Sequence, residues 1–252
     1  MGITFRLPLC GLILGLPLLA AADWCEAPRK LEQVGTDDFR AGLTRWRLEA
    51  EDERAVVTAQ GGVLDIATPA GLSLWWREPL SGDYAIRFTA VALPAPATAG
   101  ALAGRLSDLN MFWNALEADG SEPYPRSGKF AGYDTLPTYY AGFGANGNTT
   151  TRLRLYDGSQ RRLLAGFADV SIAEPGELPM TRETRLHAGK PLSIEIVSRQ
   201  PTAADPVHLR WVVDSNEVFT RADANPRLHG YFALRTTASR LQIRDFQILR
   251  CR

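Results

Sequence analysis

The sequence is poor in lysine, histidine, cysteine and methionine, and each shortage excludes something. Lysine occurs only at Lys30, Lys129 and Lys190, so arginine supplies nearly all of the 28 basic residues, and these balance 28 acidic ones. A formal net charge of zero argues against a general electrostatic partner such as nucleic acid or an anionic membrane. The histidines His187, His208 and His229 are scattered, and no CxxC spacing exists, which argues against a metal centre or thiol catalysis. No GxSxG elbow is present, so a serine hydrolase is disfavoured. The glycines of Gly142-Phe-Gly144-Ala-Asn-Gly147 lack a βαβ setting and do not make a dinucleotide fingerprint. No segment carries a sustained helical period, and no internal repeat or linker divides the chain.

One long apolar run is present, Leu7 to Leu19. It follows Arg6 and precedes Ala20-Ala21-Ala22, the pattern of a secretory signal, and it is short for a membrane span. Residues 1–22 are therefore expected to be removed, with Cys10 discarded among them. Residues 23–252 are expected to form a single domain, secreted or periplasmic. Two cysteines remain, Cys25 and Cys251, at opposite ends of that segment. In an oxidising compartment they are expected to form a disulfide, which would bring the two ends together.

The remainder reads as short strands. Candidates are Trp46 to Glu49, Val56 to Thr58, Val63 to Ala67, Leu72 to Arg77, Tyr84 to Ala90, Thr150 to Tyr156, Leu192 to Ser198, Leu209 to Asp214, Gly230 to Thr236 and Leu241 to Leu249. Tyr84, Ile86 and Phe88 alternate with Arg87 and Thr89, the signature of a half-buried strand. Short strands broken by turn signals every ~8–12 residues imply an all-β sandwich or barrel. Adjacent ends suit a jelly roll of two antiparallel sheets, one of which leaves a face free for a ligand.

The segment from Arg105 to Tyr156 concentrates aromatic rings, amides, hydroxyls and arginines. Flat rings stack on sugar faces, while amides and guanidinium groups take hydroxyls and carboxylates. That mixture points to a polysaccharide or oligosaccharide as partner. Four motifs, LWWREPLSGDYAIRF, RLSDLNMFWNA, YYAGFGANGNTTTRLRLYD and GYFALRTTASRLQIRDFQIL, carry a resemblance to an uncharacterised family of secreted bacterial proteins. The resemblance spans roughly Trp46 to Leu249. It implies a concanavalin A-like jelly-roll fold and a place in the breakdown of acidic polysaccharides, as in polysaccharide lyases.

Elimination across a uronic acid needs a cation or amide to neutralise the carboxylate, and groups that take one proton and give another. Arg152 or Asn148 is the candidate for the first role, and Tyr139 or Tyr140 for the second. Arg152 and Arg154 alternate on one strand and share a face; Tyr139 and Tyr140 adjoin and face opposite ways. Arg105, Asp108, Asn110, Trp113, Asn114, Arg126, Lys129, Tyr133, Asn146 and Arg154 are expected to position the substrate. A glycoside hydrolase would need two carboxyl groups in the site. Glu49, Glu51 and Glu53 have a suitable spacing but read as a solvated acidic turn. A binding domain without catalysis is the third reading. No metal site or cofactor is expected; a structural Ca²⁺ suits such folds, but no Asp-rich ligand loop is evident. A monomer is expected.

Overall fold

The computed structural model describes residues 24–26 and 29–252, so the expected signal segment 1–22 lies outside the described residues. Among these, fourteen strands form: β1 (Leu31–Asp37), β2 (Trp46–Ala50), β3 (Val56–Gln60), β4 (Val63–Trp76), β5 (Tyr84–Leu93), β6 (Leu109–Ala115), β7 (Thr138–Gly144), β8 (Thr150–Tyr156), β9 (Arg161–Ala168), β10 (Leu178–Pro179), β11 (Pro191–Ser198), β12 (Leu209–Val213), β13 (Asn216–Arg221) and β14 (Tyr231–Cys251). All pair antiparallel except the short β10, which runs parallel to β9.

The hydrogen-bonded ladder branches at β4 and β14 and curls into two layers. One layer runs β10-β9-β8-β7-β6, then the first half of β14, the second half of β4, and β2. The other runs β13-β12-β11-β5, then the second half of β14, flanked by β1 and by the first half of β4 with β3. Alternation drives the layering, because side chains of a strand point to opposite faces. β5 sends Tyr84, Ile86 and Phe88 into the core, while Arg87 ion-pairs with Glu195 of β11 on the other side. The core takes Met111, Tyr139 and Leu153 from one layer and Ile86, Ile194 and Trp211 from the other.

The sequence reads 63–67 and 72–77 as two strands, and likewise 230–236 and 241–249. In the structure each pair is one strand, β4 or β14. These strands pass from layer to layer without a turn. β14 does so through irregularities at Thr237/Ser239 and Arg244/Gln247, where Ala238 (φ 43°) and Asp245 (φ 54°) adopt left-handed backbone. Such bulges bend a strand without ending it. β1 and β9 are not apparent in the sequence; β1 is largely exposed and has no clean alternation.

Cys25 and Cys251 are disulfide-bonded, with Cα atoms 5.5 Å apart across a sequence separation of 226. The cross-link removes much of the unfolded chain's freedom. Replacing both cysteines by serine is expected to lower stability by about 2–5 kcal/mol. Denaturant midpoints of the oxidised protein and the double variant measure this; equal midpoints would refute it.

Candidate functional site

Register and parity assemble a site on the face of the first layer turned away from the core. Ser73 of β4, Arg235 of β14, Asn110 of β6, Gly142 of β7, Arg152 of β8 and Gly166 of β9 stand in one cross-strand row. Two residues along, Trp75, Ala233, Phe112, Tyr140, Arg154 and Leu163 form the next row. Over part of this face lies a cavity of about 440 Å³, lined by Arg105, Asp108, Asn110, Phe130, Tyr140, Ala145, Asn146, Arg154, Arg161 and Thr237. Six of the residues expected from the sequence meet here: Arg105, Asp108, Asn110, Tyr140, Asn146 and Arg154.

Local chemistry explains each placement. Asp108 sits at φ 67° just before β6. Its carboxylate accepts from Ser107 Oγ (2.7 Å) and Asn110 Nδ2 (3.2 Å) and ion-pairs with Arg105. Asn110 Oδ1 is buried and has no partner among the described residues. Gly142 makes room for it: a Cβ there would lie 3.1 Å from Asn110 Oδ1 and 3.3 Å from Ala145 Cβ. The turn after β7 holds Gly144, Asn146, Gly147 and Asn148 at φ values of 58°, 54°, 72° and 67°. Only glycine and, less readily, asparagine adopt that backbone at low cost, which accounts for the Gly-Ala-Asn-Gly-Asn run.

Arg154 and Tyr140 are cross-strand partners. Among the described residues neither the Arg154 guanidinium nor the Tyr140 hydroxyl has a hydrogen-bonding or ion-pairing partner. Desolvation lowers the pKa of Arg154 below the usual arginine range, and neighbouring Arg152 adds to this. Burial pushes Tyr140 well above the usual phenol value, so its hydroxyl is protonated at neutral pH. Tyr156, behind it, is pushed up to about 12 by burial. Arg161 ion-pairs with Asp134 and lies over the rings of Phe130 (4.2 Å) and Tyr156 (5.3 Å). Phe130 and Arg161 were not expected at the site: each looks like an ordinary loop or edge residue until the fold apposes them.

The other expected residues serve the scaffold. Tyr139 and Trp113 point into the core, 5.8 Å apart and stacked. Parity alone explains why Tyr140 reaches the cavity and Tyr139 does not. Arg152 is taken by Glu177 (2.5 and 2.7 Å), Glu174 (3.3 Å) and the Ile172 carbonyl (3.1 Å). Asn148 exchanges two 2.9 Å hydrogen bonds with the backbone of Leu186. Asn114 (φ 52°) accepts from Tyr84 Oη at 2.5 Å and donates to Ser198 Oγ and the Arg227 carbonyl. Arg126 clasps Glu117 at 2.7 and 3.0 Å, and Lys129 is exposed away from the cavity.

The acidic run also needs correction. Glu51 and Glu53 are exposed, but Glu49 is buried and accepts from Trp75 Nε1 (3.0 Å) and Tyr133 Oη (2.6 Å). Tyr133 is thereby buried too, closed to any sugar. Among the described residues, no group of three or more His, Cys, Asp or Glu side chains is placed to hold a metal ion. No described helix is long and apolar enough to cross a membrane.

His208, unremarkable in sequence, joins Tyr139 in a buried relay. Its Nδ1 accepts from the Asp223 N–H (3.2 Å), so its Nε2 carries the proton and donates to Tyr139 Oη (3.0 Å), which donates to Asp223 (2.9 Å). Burial holds the His208 pKa below 6.5. Burial also pushes Asp223 upward, but hydrogen bonds from Arg221 and Tyr139 outweigh it and leave its carboxyl below the ordinary value. The folded state thus keeps His208 neutral while the unfolded chain protonates it. Its contribution is complete above pH 6.5 and is lost as the pH falls from there toward the lowered folded value. Thermal midpoints are expected to decline over that window, and His208→Gln to flatten the decline. A wild-type midpoint constant from pH 7 to pH 5 would refute this.

The layered strands and the covered outer face place the chain among galectin-like, jelly-roll folds. A protein of unknown function with a galectin-like fold from Bacillus subtilis superposes with a TM-score of 0.66 at 14% identity, covering 88% of this chain and 98% of that one. An endo-beta-1,3-glucanase from Pyrococcus furiosus gives 0.55 at 10% identity, covering 89% and 96%. The VIP36 exoplasmic/lumenal domain in its Ca2+/Man-bound form gives 0.51 at 12% identity, covering 81% and 82%. Residues 66–246 match the family described as Domain of unknown function (DUF6250), and the chain belongs to it. No curated protein matches the sequence.

Proposed function

We propose that residues 23–252 act as one exported domain that binds an acidic saccharide and cleaves it by β-elimination. The observation that carries this is the pairing, on adjacent strands, of a partnerless guanidinium and a partnerless phenol in one cavity, Arg154 and Tyr140. Arg154 meets the uronate carboxylate as a charge-assisted, two-point contact. That withdraws electron density and acidifies the α-proton. Tyr140 as phenolate takes that proton, the C4–O bond breaks as the C4=C5 bond forms, and the phenol returns the proton to the leaving oxygen. Arg105, Asp108, Asn110 and Asn146 line the rest of the cavity and supply the polar groups that meet the sugar hydroxyls. The fold shared with a glucanase and a Man-bound domain supports a saccharide as the ligand class. The disulfide supports an oxidising compartment.

Hydrolysis fits less well, because among the described residues Asp108 is the one carboxylate lining the cavity and two carboxyl groups are required. The second reading is binding without cleavage. It is favoured by the elevated Tyr140 pKa, which keeps the phenolate scarce at neutral pH. Incubation with pectate, alginate and glucuronan separates the readings. Ultraviolet absorbance from a new double bond supports elimination. Binding with no new double bond and no new reducing ends leaves the binding domain, and binding to none of them refutes both.

A further inference from the structure

Resting on that reading, we infer that the cavity takes the end of a saccharide chain and not its middle. The polar row in register across β4, β14, β6, β7, β8 and β9 would make a through-groove if it were open along its length. It is stopped on both sides of Asn110. On one side Arg235 is buried, donates to the Gly128 carbonyl (2.9 Å) and lies under Phe130 (4.9 Å) and Tyr133 (5.0 Å). On the other, Glu177 occupies the space over Gly166 and locks Arg152 at 2.5 and 2.7 Å.

The cover on the first side is built in. The connection 116–137 is clasped on itself by Arg126 and Glu117, and fastened to the sheet by Tyr133 to the buried Glu49 and by the Gly128 carbonyl to the Arg235 guanidinium. Gly128 lies so close to residues 49–51 that a Cβ there would come within 2.7–2.9 Å of their backbone. The rings that could have stacked successive sugars, Trp75, Phe112 and Tyr133, are at most 2% exposed. Asp134 and Arg161 tie this connection across to β9 above Tyr156. What stays open is the 440 Å³ cavity, toward the small end of the ~300–1,000 Å³ typical of small-molecule pockets. A sugar in mid-chain has neighbours on both sides and needs two exits; a uronate at the reducing end, whose O4 carries the chain that leaves on elimination, needs one.

The unmodified protein tests this with galacturonate and alginate oligomers, from monomer to octamer, and with the same polymers blocked at both ends. Affinity per chain is expected to level off by the dimer, and the blocked polymers are expected to go unbound and uncut. Where cleavage occurs, the first products are expected to be short while viscosity falls slowly. Affinity that keeps rising past the tetramer, or blocked polymer bound as well as free polymer, would overturn the chain-end inference and leave acidic-saccharide recognition intact. Binding to no oligomer at all would overturn both.

Discussion

Tyr140→Phe is expected to bind the acidic saccharide as the wild type does and to turn it over about 10²–10⁴-fold more slowly, the usual worth of a positioned proton-transfer group. The change removes one oxygen that has no protein partner among the described residues, so no hydrogen bond within the fold is lost and the ring packing against Phe112 and Phe130 stays. Stability is expected to hold, which separates a chemical role from a structural one. The pH profile carries a second signature. Burial raises the Tyr140 pKa, so the basic form is a small fraction at neutral pH and grows with alkalinity. The wild-type kcat/KM is then expected to climb by about tenfold per pH unit across the neutral-to-alkaline range, as a base below its pKa requires. A flat profile, or full activity in Tyr140→Phe, would remove Tyr140 from the proton transfer.

Arg154→Ala is expected to lose both binding and turnover of acidic saccharides. Hydrogen bonds to a charged group contribute about 1.5–3 kcal/mol, so affinity is expected to fall roughly 10- to 150-fold. Arg154→Lys is expected to recover part of this, since an ammonium supplies the charge but not the planar fork. Because Arg154 holds no carboxylate within the fold, its removal strands no buried acid, and the urea midpoint is expected to move little. Isothermal titration with a uronate and with its methyl ester checks the assignment. Wild type is expected to prefer the free acid, and Arg154→Ala to lose the preference. An unchanged preference would show that the carboxylate is read elsewhere.

The candidate site was legible in the sequence as residue types and as parity. Arg154, Tyr140, Asn110 and Asn146 stand out because a core needs none of them, and adjacent strand positions must face opposite ways. Long-range partners were not legible. Arg152 and Arg154 are equivalent by spacing, yet Glu177, 25 residues away, claims only the first. Glu49 reads as solvated because its partners Trp75 and Tyr133 lie 26 and 84 residues along the chain. Among the strands, those with clean alternation were found, whereas the two long strands were split because a bulge that bends a strand between layers looks, locally, like a turn.

The closeness of Cys25 and Cys251 also makes the order of the chain dispensable to its architecture. With Cα atoms 5.5 Å apart, a short peptide joining the two ends can stand in for the sulfur link. New ends can then be opened at an exposed hairpin such as Asp157-Gly158, where circular permutation is best tolerated. In such a permutant β9 becomes the first strand and β8 the last. The layers, the two cross-strand rows and the cavity between them are specified by who pairs with whom, and that list is the same read from either starting point.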